Sequence, residues 1–187
     1  MASAEQPLRA DARRNRDRIL AAARAAFAES GFAVPLDDIA ARAGVGPGTV
    51  YRHFPTKEAL FQAVITARVT DLVTTARQHA GDPDPGAAFF AFLAHLGAEG
   101  AAKRDTSDAM SVPGPLIADL HAAVATLLAR AQAAGAVRAG VTVEDLFAFL
   151  KSLFATAHES TDPGRAQRLF TVLTDGLRPP RAAGSPR

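Results

Sequence analysis

The run LDDIAARAGVGPGTVYRHF at 36–54 constrains the fold more than any other part of the chain. It predicts one short helix over 36–43 and another over 47–53, because glycines separate the two stretches. Two short helices that cross steeply need a small residue where they touch, and Ala40 lies one turn before the break. Gly44 supplies the tolerance of positive φ that the turn requires.

Three apolar residues, Ile39, Val45 and Val50, are spaced to fill the small core between these two helices. The second helix then keeps polar side chains free near its N-terminal half. A helix-turn-helix domain places such a helix in the major groove of DNA, where its N-terminal residues contact base edges. The sequence therefore predicts a helix-turn-helix, because all of these conditions are met together.

The remaining chain also favours helices. Alanine is abundant, alternating β-branched residues are scarce, and the breaks fall at glycine and proline. We expect a first helix over 11–30 and a long helix over 57–79, with Thr56 as the N-cap of the long one. The predicted fold class is all-α with about nine helices, one of them a short helix near 106–111.

Two later helices have recognisable N-terminal signals. Thr142 and Asp145 have the form of a capping box, with aspartate in place of the commoner glutamate. Asp162 followed by Pro163 has the form of an N-cap and a first helical residue. The last segment, 179–187, combines proline, arginine and small residues, and we expect it to be disordered.

Composition argues against several classes of protein. The chain contains no cysteine, which removes disulfides, thiolate nucleophiles and cysteine-based metal sites. No apolar run is long enough to cross a membrane, and the first residues lack the apolar core of a secretory signal. We expect a cytoplasmic protein with no membrane partner.

Five arginines fall within ten residues near the N-terminus, although the formal net charge of the chain is only +2. They are Arg9, Arg13, Arg14, Arg16 and Arg18. A cluster of this density suits a polyanionic partner. It is also typical of a solvated, partly disordered arm, and basic residues alone do not separate these two interpretations.

The segments RILAAARAAFAESGF (18–32) and LDDIAARAGVGPGTVYRHFPTKEAL (36–60) resemble the DNA-binding domain of the TetR/AcrR family of transcriptional regulators. The resemblance is close over about a quarter of the chain, and beyond it extends to helix number and order. It implies a three-helix, helix-turn-helix DNA-binding domain with a basic N-terminal arm over 1–56. A helical effector-binding and dimerisation domain follows over 57–178.

The resemblance implies a sequence-specific regulator that is not an enzyme and needs no cofactor. The simplest version is a homodimeric repressor that binds a palindromic double-stranded operator and leaves it when a small-molecule effector binds. Matching positions place DNA contacts at Gly48, Thr49, Tyr51, Arg52, His53 and Lys57. We add Arg14 and Arg16 of the basic arm, and Arg42, as candidate DNA contacts because of their charge.

Individual roles follow from the chemistry of these side chains. Arg52 and His53 suit guanine N7 and O6, and the methyl group of Thr49 suits a thymine methyl. Tyr51 and Lys57 suit phosphates, which position the helix without reading sequence. Two alternatives stay open: Tyr51 packs partly against the first helix, and Arg42 forms a salt bridge with Asp38, four residues earlier.

Three positions depart from the commoner family pattern. Pro35 and Gly46 stand where serine or threonine usually caps a helix, and Pro47 stands where a polar residue is common. Glycine at the N-cap and proline at the first helical position still begin a helix well. The fold is expected to survive, whereas some phosphate contacts are expected to be lost.

The resemblance also implies a dimer and an effector pocket. We expect the last two helices to form a four-helix bundle with a second copy through Leu146, Phe147, Leu150, Phe154, Phe170, Leu173, Thr174 and Leu177. The pocket candidates are Phe61, Ile65, Phe89, Phe92, Leu93, His95, Leu96, Met110, Leu116, Leu120 and His121. They imply a mainly apolar effector. For both sets, ordinary core packing is the alternative.

The sequence leaves two rival functions, an enzyme and a helical scaffold that does not bind DNA. An enzyme has little support, because the five histidines show no paired metal-ligand spacing and no nucleophile motif occurs. The glycine-rich run at 44–48 follows a helix, whereas a dinucleotide-binding loop follows a strand. A helical scaffold whose DNA-binding head no longer works is the second rival, given the departures at Pro35, Gly46 and Pro47.

Overall fold

The computed structural model describes residues 5–101, 112–158, 160, 162 and 164–180. Within these residues the chain forms eight α-helices, one 3-10 turn and no strand. The helices are α1 (Glu5–Ser30), α2 (Leu36–Ala43), α3 (Pro47–His53), α4 (Lys57–His79), α5 (Pro85–Ala101), α6 (Gly114–Ala133), α7 (Val143–His158) and α8 (Arg165–Leu177). The 3-10 turn, Gly31–Ala33, follows α1.

The all-α prediction is therefore confirmed, with a helix count close to the expected nine. The short helix expected near 106–111 lies outside the described residues, as does the segment 181–187 of the expected tail. No helix in the described part of the chain is long and apolar enough to cross a membrane.

The capping signals at α4 and α7 are confirmed. The Thr56 hydroxyl accepts a hydrogen bond from the Ala59 amide at 3.1 Å. Before α7, the Thr142 amide donates to Asp145 Oδ2 at 3.0 Å, and the Asp145 amide donates to Thr142 Oγ1 at 3.1 Å. The Thr142 hydroxyl also donates to Asp145 Oδ2, at 2.9 Å. The bond from the Thr142 amide, followed by that from its hydroxyl, lowers the pKa of Asp145, because both stabilise the carboxylate.

The start of α8 differs from the sequence-based prediction. Gly164 is the N-cap and α8 begins at Arg165, so the prediction that Asp162 caps this helix was wrong. The Asp162 carboxylate instead accepts hydrogen bonds from the Arg168 guanidinium and the Gly164 amide. The bond from Arg168, followed by that from Gly164, lowers the pKa of Asp162. Because its carboxylate closes a tight turn to Gly164, the helix starts after that turn.

The basic arm is helical from Glu5 onward. We expected α1 to begin near residue 11, and that start was wrong, because the described helix already includes Glu5. The only proline near this point, Pro7, lies in the first turn of α1, where its missing N–H breaks no helical hydrogen bond. Arg13, Arg14, Arg16 and Arg18 are therefore displayed on a helix.

The chain divides into two compact units, and the division falls inside α4, between Arg68 and Val69. We call the described residues 5–68 with 112–113 the head, and residues 69–101 with 114–180 the body. The expected domain boundary lay twelve positions earlier, at the first residue of α4. The assignment of DNA binding to 1–56 and of sensing to 57–178 remains a proposal.

The head has its own apolar core. Its most deeply buried side chains include Ile19 of α1, Ile39 of α2, Val50 of α3 and Leu60 of α4. Phe61 completes this core with edge-to-face contacts to Phe27 at 4.9 Å and Phe32 at 5.4 Å between ring centroids. Each helix of the head thus supplies at least one apolar side chain that is fully withdrawn from water.

The body has a separate core in which aromatic and branched side chains interlock. Phe89, Phe92 and Leu93 of α5, Val124 and Leu127 of α6 and Leu146 of α7 are all within 2% of complete burial. Polar side chains hold the connecting loops to this core. Arg130 donates to the carbonyls of Ala80 and Asp82, and Gln132 donates to the Val141 carbonyl at 2.9 Å.

Candidate nucleic-acid interface

The turn between α2 and α3 has the geometry that the sequence predicts. Gly44 adopts φ 63° and ψ 39°, in the left-handed region that disfavours side chains. Its amide donates to the Ala41 carbonyl, and the Val45 amide donates to the Ala40 carbonyl, both at 3.1 Å. These two bonds satisfy carbonyls at the end of α2 and turn the chain sharply toward α3.

The start of α3 also follows the sequence. Gly46 is the N-cap with extended backbone, and Pro47 is the first helical residue. The Gly46 carbonyl accepts a hydrogen bond from the Thr49 amide at 2.8 Å. No side chain caps this helix, as expected from the glycine at that position.

The small core between α2 and α3 is packed as required. Ile39 and Val50 are fully buried, Ala40 is 1% exposed, and Val45 is half-buried against them. Because Ala40 offers only a methyl group at the crossing, the two helices approach closely there. This packing fixes how α3 projects from the head, and it confirms the predicted helix-turn-helix.

The outer side of α3 carries the side chains that were expected to meet DNA. Arg52 and Gly48 are exposed, Tyr51 is 50% exposed, and Thr49 and His53 are half-buried. Thr49, Arg52 and His53 stand at i, i+3 and i+4, so they share one side of the helix. A short helix with an arginine, a histidine and a hydroxyl on one side can present donors and acceptors to base edges.

Gly48 is not required by the fold of the free chain. Its φ lies outside the positive range, and a methyl group built on its Cα would meet no atom within 4 Å. A glycine at an exposed helical position costs about 0.5–1 kcal/mol of stability relative to alanine. Its presence here therefore suits a surface that must approach another molecule closely.

Two of the expected DNA contacts, Lys57 and Arg16, lie over aromatic rings of the head. The Lys57 ammonium lies 4.8 Å from the centre of the Phe32 ring, and the Arg16 guanidinium lies 5.3 Å from that of Phe54. Such cation–π contacts attract the charge without neutralising it. Arg16 remains exposed and Lys57 half-buried, so both keep positive charge at the surface of the head.

Arg14 and Arg42 are paired with acids in the free chain. Arg14 bonds to Asp11 one turn earlier on α1, and both side chains are well exposed. Arg42 bonds to Glu29 of α1 at 2.6 Å. The alternative that pairs Arg42 with Asp38 was therefore wrong in its partner, because α1 brings Glu29 within reach of the same guanidinium.

Sequence reasoning missed one contact of the turn. Arg18 of α1 donates from Nη2 to the Gly44 carbonyl at 3.2 Å. Arg18 had been counted only as a member of the basic cluster. Since the two residues are 26 positions apart, no local pattern could have paired them.

We expect the Gly44→Ala substitution to lower the free energy of unfolding by about 1–3 kcal/mol, because a side chain is strained at that positive φ. The new methyl group would also lie 2.6 Å from Arg18 Nη2 and displace that guanidinium. Urea denaturation followed by circular dichroism measures the effect. Gly48→Ala is the matched control, and equal stability of the two variants would contradict the prediction.

The structure divides the predicted pocket residues between the two units. Phe89, Phe92, Leu93, Leu96 and Leu120 are buried in the body, Leu116 and His121 are half-buried there, and His95 is exposed. Phe61 belongs to the core of the head, and Ile65 packs against that core. Met110 lies outside the described residues.

Neither of two open grooves on the described part of the surface includes a predicted pocket residue. One, of about 470 Å³, lies on the head beside Arg16, Leu20 and Gln62. The other, of about 520 Å³, lies on the body, where the Arg178 guanidinium covers the Phe90 ring at 4.2 Å. The buried aromatic side chains of α5, Phe89 and Phe92, are packed as core.

The predicted dimer residues fall into two groups. Leu146, Leu150, Leu173 and Leu177 are buried within the chain itself, whereas Phe147, Phe154, Phe170 and Thr174 are half-buried. Two of the half-buried aromatics, Phe147 and Phe170, have intramolecular partners. Phe147 stacks on His121 with ring centroids 4.2 Å apart, and Phe170 lies against Gly97, where an added methyl group would come within 2.6 Å of its ring.

Two apolar side chains of the last helices are more exposed than any predicted interface residue. Phe149 of α7 is 54% exposed and Val172 of α8 is 65% exposed. Neither residue was among those predicted for the dimer interface.

Comparison with known proteins agrees with this geometry. Residues 19–64 match the family profile described as bacterial regulatory proteins, tetR family. Residues 84–179, more than half of the chain, match the C-terminal domain of transcriptional regulators like SbtR. The chain belongs to the TetR family. It is thus a TetR-family transcriptional regulator with a helix-turn-helix of the DNA-binding type.

Individual TetR-family proteins resemble the chain to different extents. A TetR regulatory protein from Mycobacterium vanbaalenii is 40% identical, with 92% of this chain and all of that one aligned at a TM-score of 0.72. The regulator SCO0520 from Streptomyces coelicolor is 34% identical over 88% of this chain and 98% of its own, at a TM-score of 0.74. The regulator UidR from Escherichia coli is 44% identical over 59 residues, which is 31% of this chain and only 30% of UidR.

Proposed function

We propose that this TetR-family protein is a homodimeric repressor that binds a palindromic operator through α3 and leaves it when a small-molecule effector binds. The observation that carries the proposal is the exposed side of α3 on a tightly packed helix-turn-helix. There Arg52 is free of the core, and Gly48 leaves room for close approach.

DNA recognition is assigned first to α3. Arg52 and His53 read guanine edges in the major groove, and Thr49 contacts a thymine methyl. Tyr51 and Lys57 hold phosphates, joined by Arg14 and Arg16 of α1. The exposure of Arg14 and Arg16 supports this role, because exposed ion pairs and cation–π contacts are weak enough to be exchanged for a phosphate.

Dimerisation is assigned to α7 and α8. A single helix-turn-helix touches few bases, so two copies must read two half-sites about one helical turn (~34–36 Å) or a multiple of it apart. The exposed Phe149 and Val172 support this assignment, together with the half-buried Phe147, Phe154, Phe170 and Thr174. A two-fold axis would bring each of these side chains into the interface twice.

Effector binding is assigned to the body. SmeT, which shares this fold at 24% identity and a TM-score of 0.59, is known in complex with triclosan. In this chain we assign the site to the apolar side chains of α5 and α6, with the half-buried His121 as a polar group beside them. Since these side chains are packed as core, they would have to part to admit such a molecule. Because α4 is one continuous helix that supplies residues to head and body, a displacement of its second half reaches the head.

The direction of regulation needs its own measurement. FasR from Mycolicibacterium smegmatis, named as a transcriptional activator, is 41% identical over 64 residues, 34% of this chain and 29% of FasR. Similarity in the head thus does not decide between repression and activation of transcription. We propose repression, and an in vitro transcription assay in which added protein raises transcript yield would overturn that part.

The Arg52→Ala substitution tests the reading helix. Losing a bidentate contact to guanine should weaken specific binding by about 1–3 kcal/mol and relax preference at one base position. Fluorescence anisotropy with DNA from upstream of the protein's own gene measures both effects.

Arg77→Ala, an exposed arginine of the body on α4, is the matched control and should bind as the parent chain does. Unchanged operator affinity in Arg52→Ala would contradict the assignment of the reading side. If the unaltered protein fails to bind even at low salt, the scaffold interpretation replaces the proposed function.

A further inference from the structure

The helix-turn-helix is attached to α1 by two polar contacts that converge on the end of α2. Arg18 reaches the Gly44 carbonyl from one side, at 3.2 Å. Glu29 reaches the Arg42 guanidinium from the other, at 2.6 Å. On α1 the two residues are eleven positions apart, or about 16 Å at 1.5 Å per residue.

This arrangement brackets the last turn of α2. Contacts from two distant points of one rigid helix oppose both rotation and sliding of that turn. Both arginines also bring positive charge to the C-terminal end of α2, where the helix dipole is negative. Since Gly44 leads directly into α3, the direction of α3 depends on how firmly this turn is held.

We propose that Arg18 and the pair Glu29–Arg42 are positioning residues that set the direction of the reading helix, and that neither arginine holds DNA. The proposal rests on the proposed function of α3. It changes the expected role of Arg42 from a phosphate ligand to half of an intramolecular pair, and it removes Arg18 from the DNA-facing charge of the basic cluster.

Substituting Arg18, Glu29 or Arg42 is expected to have a moderate effect on the alignment of each head. All of the side chains are exposed, so each contact is individually weak. A factor of about two to three in the population of correctly aligned heads is then reasonable for each change. A dimer uses two heads, so the factor is squared and operator affinity falls by about 5–10-fold.

A charge exchange tests the Glu29–Arg42 pair. Glu29→Arg and Arg42→Glu should each lower operator affinity by about 5–10-fold, because each leaves like charges facing one another. The double variant restores an opposite pair in reversed order and should bind within about twofold of the parent chain.

A phosphate-holding Arg42 predicts the opposite pattern, which would overturn the proposal. Glu29→Arg would then leave affinity unchanged or raise it, and the double variant would stay as weak as Arg42→Glu. A loss of folding is recognised separately from helical circular dichroism, and restored binding in the double variant cannot come from an unfolded head.

The salt dependence of binding tests Arg18. Arg18→Gln should lower specific affinity by about 5–10-fold while affinity for random-sequence DNA and the slope of log affinity against log salt stay unchanged. Arg13→Gln, exposed on the same helix, is the matched control for a lost charge. A slope that falls by about one per head would show that Arg18 holds a phosphate and would overturn its positioning role.

Failure here is distinguishable from failure of the proposed function. If α3 does not read DNA, Arg52→Ala leaves operator affinity unchanged along with all of these variants. If only the positioning idea is wrong, Arg52→Ala still weakens binding, and either the charge exchange is not restored or the salt slope changes in Arg18→Gln.

Discussion

The paired substitutions Val172→Asp and Phe149→Asp are expected to separate the dimer into monomers and to lower operator affinity by about a thousandfold. Both side chains are large, apolar and more than half exposed on the last two helices. In a two-fold interface each new carboxylate appears twice and is withdrawn from water without a partner, which costs several kcal/mol. A monomer loses the avidity of the second half-site, typically a factor of about 10²–10⁴.

Sedimentation velocity measures the first effect, and operator titration by anisotropy measures the second. Gln78→Asp is the matched control, because it places the same charge at an exposed position of α4, outside the assigned interface. That variant should remain dimeric. A double variant that sediments as the parent chain does would contradict the assignment of α7 and α8 to the interface.

The second large effect is expected at Gly48. Gly48→Ala should raise the free energy of unfolding by about 0.5–1 kcal/mol, because alanine is the better helix former and the space is open in the free chain. The same substitution should lower operator affinity by about tenfold, since a methyl group would separate α3 from the DNA backbone. A substitution that raises the free energy of unfolding while it lowers operator affinity indicates a residue that contacts DNA, because a residue with a purely structural role would change both in the same direction.

Gly48→Glu strengthens this test. A carboxylate in the first turn of a helix interacts favourably with the helix dipole, so the fold should tolerate the substitution. Beside phosphates, the same charge is repelled by several kcal/mol, and operator affinity should fall by about a thousandfold. Thermal unfolding and anisotropy on one preparation give both quantities. Unchanged affinity in both variants would remove Gly48 from the DNA-facing side.

The helix-turn-helix could be predicted from sequence because its determinants are local. Ala40, Gly44 and Val50 lie within eleven positions, and each has a steric requirement that few residue types meet. The caps at Thr56 and Thr142 were predictable for the same reason. The early start of α1 could not be predicted from apolar periodicity, because the first turns of this helix lack an apolar stripe.

The remaining contacts depend on how distant segments cross. Arg42 has acids both four positions earlier, at Asp38, and thirteen positions earlier, at Glu29. Only the angle between α1 and α2 decides in favour of Glu29. Likewise, Phe61 and Phe89 both look like core residues in sequence, and the fold places one in the head and the other in the body.

The central claim is that α3 lies in the major groove of each operator half-site. The chain has no cysteine, so one introduced by Thr49→Cys can carry an iron-chelate cleavage reagent without background labelling. We predict DNA strand cleavage inside two half-sites about one helical turn or a multiple of it apart, and none from Ala133→Cys at the end of α6. A bound operator left intact by the Thr49→Cys reagent, or cut at the same bases by the Ala133→Cys reagent, would contradict the account.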